Sequence, residues 1–455
     1  MPRNVLLLQG PVGPFFKKLA TDLERHGHNV VKVNLNGGDW FFYRTGDVLN
    51  FREDTSVWPF WIESVMVGRQ IDRIYLFGDC RAYHRQAISI ARRLNIEVYV
   101  FEEGYVRPNY ITLERDGVNG FSSACDPATI ADQLEAPSGG ATQSAVESKP
   151  VDSVFFRATC LAMQYYMASS ALRWRFPNYV HHRPLKTLSE GSIWIRSGFR
   201  KWIYKFTQYQ TSKRLLQGTN KFFLVPLQVH NDMQVIQHSD FGSVEEFIDR
   251  VMISFTSADE NTDIVFKHHP YDRGYKNYKK LIAQLAVKYG LSGRVHYIHD
   301  TDLPNLLQRA EGAVLINSTV GISSMYHQTP VKAMGKAIYD LPGLTHQGSL
   351  ESFWQNPEPV DAQKYAAYRD YLISTTQLNG SIYTGIADAK GAMGVNWCDD
   401  KFKAHLQPTF DNVVDISERR NARKLSVVQE VKDAVAKEAT VQEIEDVGRH
   451  GNLAV

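Results

Sequence analysis

Twice along the chain, short continuous apolar runs alternate with stretches of helical period, and few folds accept that rhythm. Val5-Leu6-Leu7-Leu8 stops at the turn Gly10-Pro11-Val12-Gly13-Pro14, a helix is predicted over 15–25, and a second run, Asn29 to Val33, follows Gly27. Residues 71–77, 81–94 and 97–101 continue as strand, helix and strand. A run with no polar alternation reads as a strand buried on both faces, and such strands joined through helices form a parallel sheet. This is the pattern of a Rossmann-like half. A second series starts at Lys221, with strands predicted over 222–229, 264–267, 295–298 and 313–316. Helices are predicted between them over 244–255, 275–289 and 303–309, and another opens near Thr319. At 455 residues the chain exceeds one ordinary core and suits two such α/β domains with a site in the cleft between them.

Composition shifts mark the boundaries. The first half is expected over 1–121 and the second over 221–410. Residues 122–155 turn small and polar around Pro137-Ser138-Gly139-Gly140 and read as a linker or mobile loop. Residues 156–220 read as a basic, aromatic helical connector. From Arg173 to Arg214 it carries ten Lys or Arg against one acid, Glu190, with Trp174, Trp194 and Trp202 interleaved. An anionic membrane surface, a lipid head group and nucleic acid all suit that mixture. Beyond Asp411, Val428, Val431 and Val435 recur at helical spacing among Lys and Glu, which predicts a charged helical tail over 411–455.

Other classes are disfavoured. No stretch approaches the roughly 20 apolar residues of a spanning helix, so any membrane contact is expected to be peripheral. The N-terminal run is too short for a secretory signal, and Cys80, Cys125, Cys160 and Cys398 lack the spacing of a disulfide framework or zinc site. A cytoplasmic protein is expected. Gly10-Pro11-Val12-Gly13 lacks the G-x-G-x-x-G fingerprint and its prolines remove N–H donors, which disfavours a dinucleotide; a Walker motif is missing too. No metal and no cofactor are expected.

Four stretches put reactive groups at predicted strand ends, where ligands of open α/β sheets bind. Gln228-Val229-His230-Asn231-Asp232 ends one strand, and Asp232 reads as a nucleophile, a general base or a helix cap. Lys267-His268-His269-Pro270 ends the next, with cations for a phosphate or carboxylate, or else a solvated turn. Asn317-Ser318-Thr319-Val320-Gly321 sets hydroxyls where a helix begins, as an anion site or a plain cap. In the first half Glu102-Glu103-Gly104-Tyr105-Val106-Arg107 offers a carboxylate pair and an arginine, for a polyhydroxyl acceptor or for an internal ion pair.

Together with Gly78-Asp79-Cys80-Arg81, and in this order from about Asn4 to Trp354, these stretches closely resemble the capsule polysaccharide biosynthesis family of bacterial Kdo transferases, in particular its S-type branch. The resemblance implies a GT-B-like α/β fold, two Rossmann-like domains facing each other across a cleft. It implies a glycosyltransferase that takes 3-deoxy-D-manno-oct-2-ulosonic acid (Kdo) from CMP-Kdo and forms a β-linkage with retention. The implied acceptor is a lyso-phosphatidylglycerol anchor at the cytoplasmic face of the inner membrane, with the basic aromatic segment against the bilayer and no nucleic acid partner. On this reading Asp232 is the nucleophile or, in a front-face mechanism, stabilises the developing positive charge, Gln228 orients it or the sugar, and Glu102 or Glu103 is the base. Lys267, His268, His269, Asn317, Ser318, Thr319 and Gly321 hold the donor, and Gly10, Gly13, Tyr105 and Arg107 hold the acceptor. A non-catalytic export or scaffold protein that binds the glycolipid is the alternative.

Overall fold

The computed structural model describes residues 2–125, 151, 155–181 and 187–386. The expected tail over 411–455 and most of the expected linker lie outside them. In the first series the strands are β1 (Asn4–Leu8), β2 (Asn29–Asn34), β3 (Asp47–Asn50), β4 (Arg73–Phe77), β5 (Glu97–Glu103) and β6 (Tyr110–Arg115). Helices α1 (Phe15–Arg25), α2 (Gly37–Phe42), α3 (Trp58–Gly68) and α4 (Ala82–Arg93) alternate with them. Why β1 is apolar throughout is visible in its two faces: Leu6 and Leu8 enter one core, Val5 and Leu7 the other. Each such side chain, fully buried, is worth about 1.5–3 kcal/mol. Helix α1 buries Phe15, Phe16, Leu19, Ala20 and Leu23, a stripe at helical spacing, and leaves its lysines outside.

Three helices follow: α5 (Phe155–Ala171), α6 (Thr187–Thr207) and α7 (Tyr209–Gln217). The second series follows as β7 (Lys221–Pro226), α8 (Met233–Gln237), α9 (Val244–Phe255), β8 (Thr262–Lys267), α10 (Lys279–Lys288), β9 (Val295–Ile298), α11 (Leu303–Arg309), β10 (Gly312–Leu315), α12 (Val320–Tyr326) and β11 (Val331–Ala333). Its five strands lie in the order β11-β10-β7-β8-β9, all parallel. Strand β7 stops at Pro226, short of the predicted 229, so Gln228 and Asp232 stand on the loop beyond it.

The domain boundaries need two corrections. After α13 (Leu350–Gln355) and α14 (Ala362–Thr375) the chain returns to the first half, where β12 (Gln377–Ser381) pairs antiparallel with β6 and carries β13 (Gly385–Ile386). The first sheet therefore has eight strands, β13-β12-β6-β5-β4-β1-β2-β3. Leu378 is buried in the first-half core, and the Gln377 side chain accepts from Tyr105 N and donates to Thr112 Oγ1, so this segment does not belong to the second half. At the other boundary, Ser122 donates to buried Glu114 and Ala124 is buried, which ties residues 122–125 to the first half rather than to a linker.

One apolar cluster spans the halves, with Tyr105, Val106 and Tyr110 packed among Ile322, Met325, Tyr339 and Tyr368. Two Rossmann-like halves meeting across a cavity make the GT-B-like arrangement.

Candidate active site

The second-half wall is built on the loop after β7. Asp232 is the N-cap of α8: one carboxylate oxygen accepts from Gln234 N at 2.9 Å, and the other accepts from Gln228 Nε2 at 3.2 Å. Gln228 is itself held, donating to Asn317 Oδ1 at 3.0 Å and accepting from Asn317 N at 3.3 Å. Asn317 Nδ2 reaches the carbonyls of Gln234 and His238. The cap and the polar network thus coexist in one residue, and the network fixes where the carboxylate points. Thr319 stands at the N-cap position of α12 without a side-chain cap bond, and Ser318 Oγ accepts from Val320 N at 3.3 Å.

The first-half wall comes from the ends of β4 and β5. Asp79 is buried, accepts from Val118 N at 2.9 Å and from Cys80 Sγ, and burial holds its carboxyl above the usual range. Burial also raises the Glu102 carboxyl, and the neighbouring Glu103 and Asp79 charges add to it against a hydrogen bond from Glu103 N, so that it titrates at about 7. Arg81 donates to Gln9 Oε1 at 3.0 Å, and Gln9 Nε2 donates to Tyr179 Oη at 3.2 Å, which connects this wall to the turn after α5.

Between the walls lies a cavity of about 340 Å³, within the range of small-molecule sites. Glu102, Glu103, Asp79, Arg81, Arg107 and Asn119 face it from the first half. Gln228, Asp232, Met233, Gln234, His269, Asn317, Ser318 and Thr319 face it from the second. His238 closes the seam behind, buried 4.4 Å from the Phe121 ring and 3.7 Å from Cys80 Sγ. Burial pushes its imidazole down to about 4, so it packs as a neutral ring.

Nine of the predicted site residues meet there: Asp232, Gln228, Glu102, Glu103, Arg107, His269, Asn317, Ser318 and Thr319. Six are placed outside the lining. Lys267 is buried with Nζ on His299 O at 3.0 Å, and His268 is buried with Nδ1 at 2.7 Å from Tyr297 Oη. Both serve the packing of β8 against β9. Gly321 lets α12 approach Tyr339, whose ring would lie 2.3 Å from an added Cβ. Gly10 packs against Phe16, Gly13 faces Leu161, and the Tyr105 hydroxyl donates to buried Glu114 at 2.6 Å. Asp79, Arg81 and Asn119 are not among the predicted site residues. The signal for the first two is the same strand-end rule, applied to Gly78-Asp79-Cys80-Arg81 after β4.

The profile of the family described as Capsule polysaccharide biosynthesis protein matches residues 72–383. The Escherichia coli capsule polysaccharide export protein KpsS is 39% identical over 384 residues, covering 84% of this chain and 97% of that protein. The capsule polysaccharide modification protein LipB of Neisseria meningitidis serogroup B is 40% identical over 388 residues, covering 84% and 92%. Among solved structures, the Thermosulfurimonas dismutans KpsC beta Kdo 2,7 transferase aligns at 15% identity with a TM-score of 0.39, over 80% of this chain and 89% of that one. On the profile match and on relatives of this identity and coverage, the chain belongs to the capsule polysaccharide biosynthesis protein family.

Proposed function

We propose that this protein is a retaining β-Kdo glycosyltransferase that uses CMP-Kdo and adds the first Kdo to a lyso-phosphatidylglycerol anchor of a capsular polysaccharide. It works at the cytoplasmic face of the inner membrane, beside other capsule biosynthesis proteins. The observation that carries the reading is a division of labour across one cavity: a carboxylate aligned by neutral donors on one wall, Asp232, and a carboxyl poised near neutrality on the other, Glu102.

Retention at one carbon follows from two inversions. In the first, an Asp232 oxygen attacks the anomeric carbon while the bond from that carbon to the phosphate oxygen breaks, and CMP leaves with the electron pair. The phosphate is a good leaving group, so donors suffice to steady it, and Asn317, Ser318, Thr319 and His269 supply them. In the second, the acceptor hydroxyl gives its proton to Glu102 as its oxygen displaces the Asp232 carboxylate. A base that titrates near 7 is matched to that task at neutral pH. Gln228 keeps the nucleophile in line through both steps. CMP-Kdo enters as a substrate, and no step calls for a cofactor.

The test is mass spectrometry of lipid products made by purified protein from CMP-Kdo and lyso-phosphatidylglycerol. A single-Kdo lipid from wild type and none from Asp232→Asn is the expected result. Should wild type bind lipid yet give no product with this or any glycolipid acceptor, the export or scaffold reading takes its place.

A further inference from the structure

The connector helices are amphipathic in the opposite sense to a helix packed on a core. Along α6 most of the residues that touch the second half are polar, with Ile193 against Gly274 as an apolar exception. Arg196 and Arg200 donate to the carbonyls of Gly274 and Arg273, the Tyr204 ring stacks 3.6 Å from His299, and Gln208, one residue past the helix, bonds His299. They recur every four residues and form a polar seam. Ile195, Phe199, Trp202 and Phe206 recur at steps of four, three and four on the other side, and each is 61–77% exposed. Helix α5 repeats the pattern with Phe156, Met163 and Met167, 60–78% exposed, while its Tyr165 is buried on Asn36 and Asp39. Monomeric soluble proteins seldom leave contiguous apolar stripes in water, and such stripes mark an interaction surface.

We propose that the exposed faces of α5 and α6 form one docking surface for an anionic phospholipid bilayer. Charge selects the occupant. Exposed Arg157, Lys201 and Lys205 flank the stripes, and the sequence from 155 to 217 carries eleven Lys or Arg against a single acid, Glu190. A second copy would set two basic faces against each other. Nucleic acid gains nothing from Ile195, Met163 or Met167, which cannot stack on bases as an aromatic ring does. A bilayer takes all of it, with aliphatic and aromatic side chains at the acyl boundary, Trp202 at the level of the head groups and cations on anionic lipid. Among the described residues no helix is long and apolar enough to cross a membrane, so this contact lies in the plane of the interface. Near the end of α5, Tyr179 bonds Gln9, and Gln9 bonds Arg81 of the cavity wall.

The proposal rests on the transferase reading only for the reason a lipid surface is needed, and its test involves no turnover. Full-length protein is sedimented with vesicles of phosphatidylcholine alone and of phosphatidylcholine with about one-third phosphatidylglycerol, at low and physiological salt. Wild type should bind the anionic vesicles, weaken with salt and bind the neutral ones far less. Phe199→Ser with Trp202→Ser should lower binding roughly tenfold or more while the melting temperature stays within a few degrees, because the removed groups are solvent-facing. Lys201→Gln with Lys205→Gln should lose less and respond less to salt. Equal vesicle binding by wild type and the Phe199/Trp202 variant overturns the proposal. So does failure of wild type to bind, a dimer that the variant breaks, or salt-sensitive binding of single-stranded RNA that depends on the same two residues.

Discussion

The two walls of the cavity are chemically unlike. The second-half wall works with amides and hydroxyls around one carboxylate: Gln228, Gln234, Asn317, Ser318 and Thr319 beside Asp232. The first-half wall is crowded with charge, with Asp79, Glu102 and Glu103 against Arg81 and Arg107. Crowding and burial make the difference functional, because like charges and desolvation both favour the protonated acid. On the proposed mechanism, the wall that holds a pre-aligned anion is built mainly from neutral donors, and the wall that accepts a proton is built from carboxyls that resist losing one. The comparison then assigns covalent chemistry and proton transfer, under that proposal, to different halves of the fold.

The largest expected effect separates the two walls in time. Asp232→Asn should stop CMP release and transfer together, by roughly a thousandfold or more, while Asn preserves the cap of α8. Glu102→Gln should depress transfer by ~10²–10⁴-fold yet still release about one equivalent of CMP, with the sugar retained on Asp232 and visible as an added mass on the intact protein. If both variants release CMP at the wild-type rate, the division between walls is wrong. Wild-type transfer should rise with pH through about 7, the range in which Glu102 becomes the free base, and Glu102→Gln should lose that rise.

Gln228 sharpens the comparison from the other side. Gln228→Leu removes both the donor to Asp232 and the two bonds that join it to Asn317. A misplaced nucleophile costs up to ~10²-fold, so a loss of roughly ten- to a hundredfold in kcat is expected, with KM for the donor changed less. A Gln228→Leu enzyme with unchanged kcat would show that the cap alone aligns the carboxylate.

Stability against pH reports the charged wall without any substrate. Glu102 and Glu114 both titrate at about 7 in the fold through burial, above the ordinary 4.5. The folded state therefore keeps protons that the unfolded chain has released, and the stability they contribute is present below 4.5 and lost as pH rises through about 7. Buried His84, His238 and His299 act in the opposite sense. Burial holds them at about 3, 4 and 3 against an ordinary 6.5, so their contribution is present above 6.5 and lost as pH falls. Melting temperature should peak between these limits, and Glu114→Gln should soften only the alkaline side.

Much of this was legible in the sequence, and for a physical reason. Strands buried on both faces must be apolar throughout, so β1, β7 and β10 announce themselves, and the residues just past a strand end are exposed to the cleft by geometry. That rule located Gln228, Asp232, Glu102 and Asn317 through Thr319. It says nothing about which groups cover a strand end. His268 is placed by Tyr297, and the strand return of Gln377 depends on Tyr105 and Thr112, some 270 residues away in sequence. Nor does periodicity tell an inward stripe from an outward one, and on α5 and α6 the apolar stripes face outward.

The stretch Lys267-His268-His269 offers the smallest and most diagnostic effect. All three residues belong to the end of the same strand, yet only His269 faces the cavity. Lys267 is buried with one carbonyl partner, and desolvation lowers its pKa from the usual lysine value. Replacing both members of a buried polar pair by apolar groups of similar shape removes the desolvation cost along with the hydrogen bond, and these nearly cancel. Here only the donor is replaced and the buried His299 carbonyl loses its partner, so Lys267→Met should lower stability by about 1–3 kcal/mol. Transfer rate and donor KM should stay within roughly threefold of wild type, the range of a packing change. A tenfold rise in donor KM in the folded variant would mean that the ammonium reaches the donor through a rearrangement of β9 and α6, and that the second-half wall is not neutral when the substrate is bound.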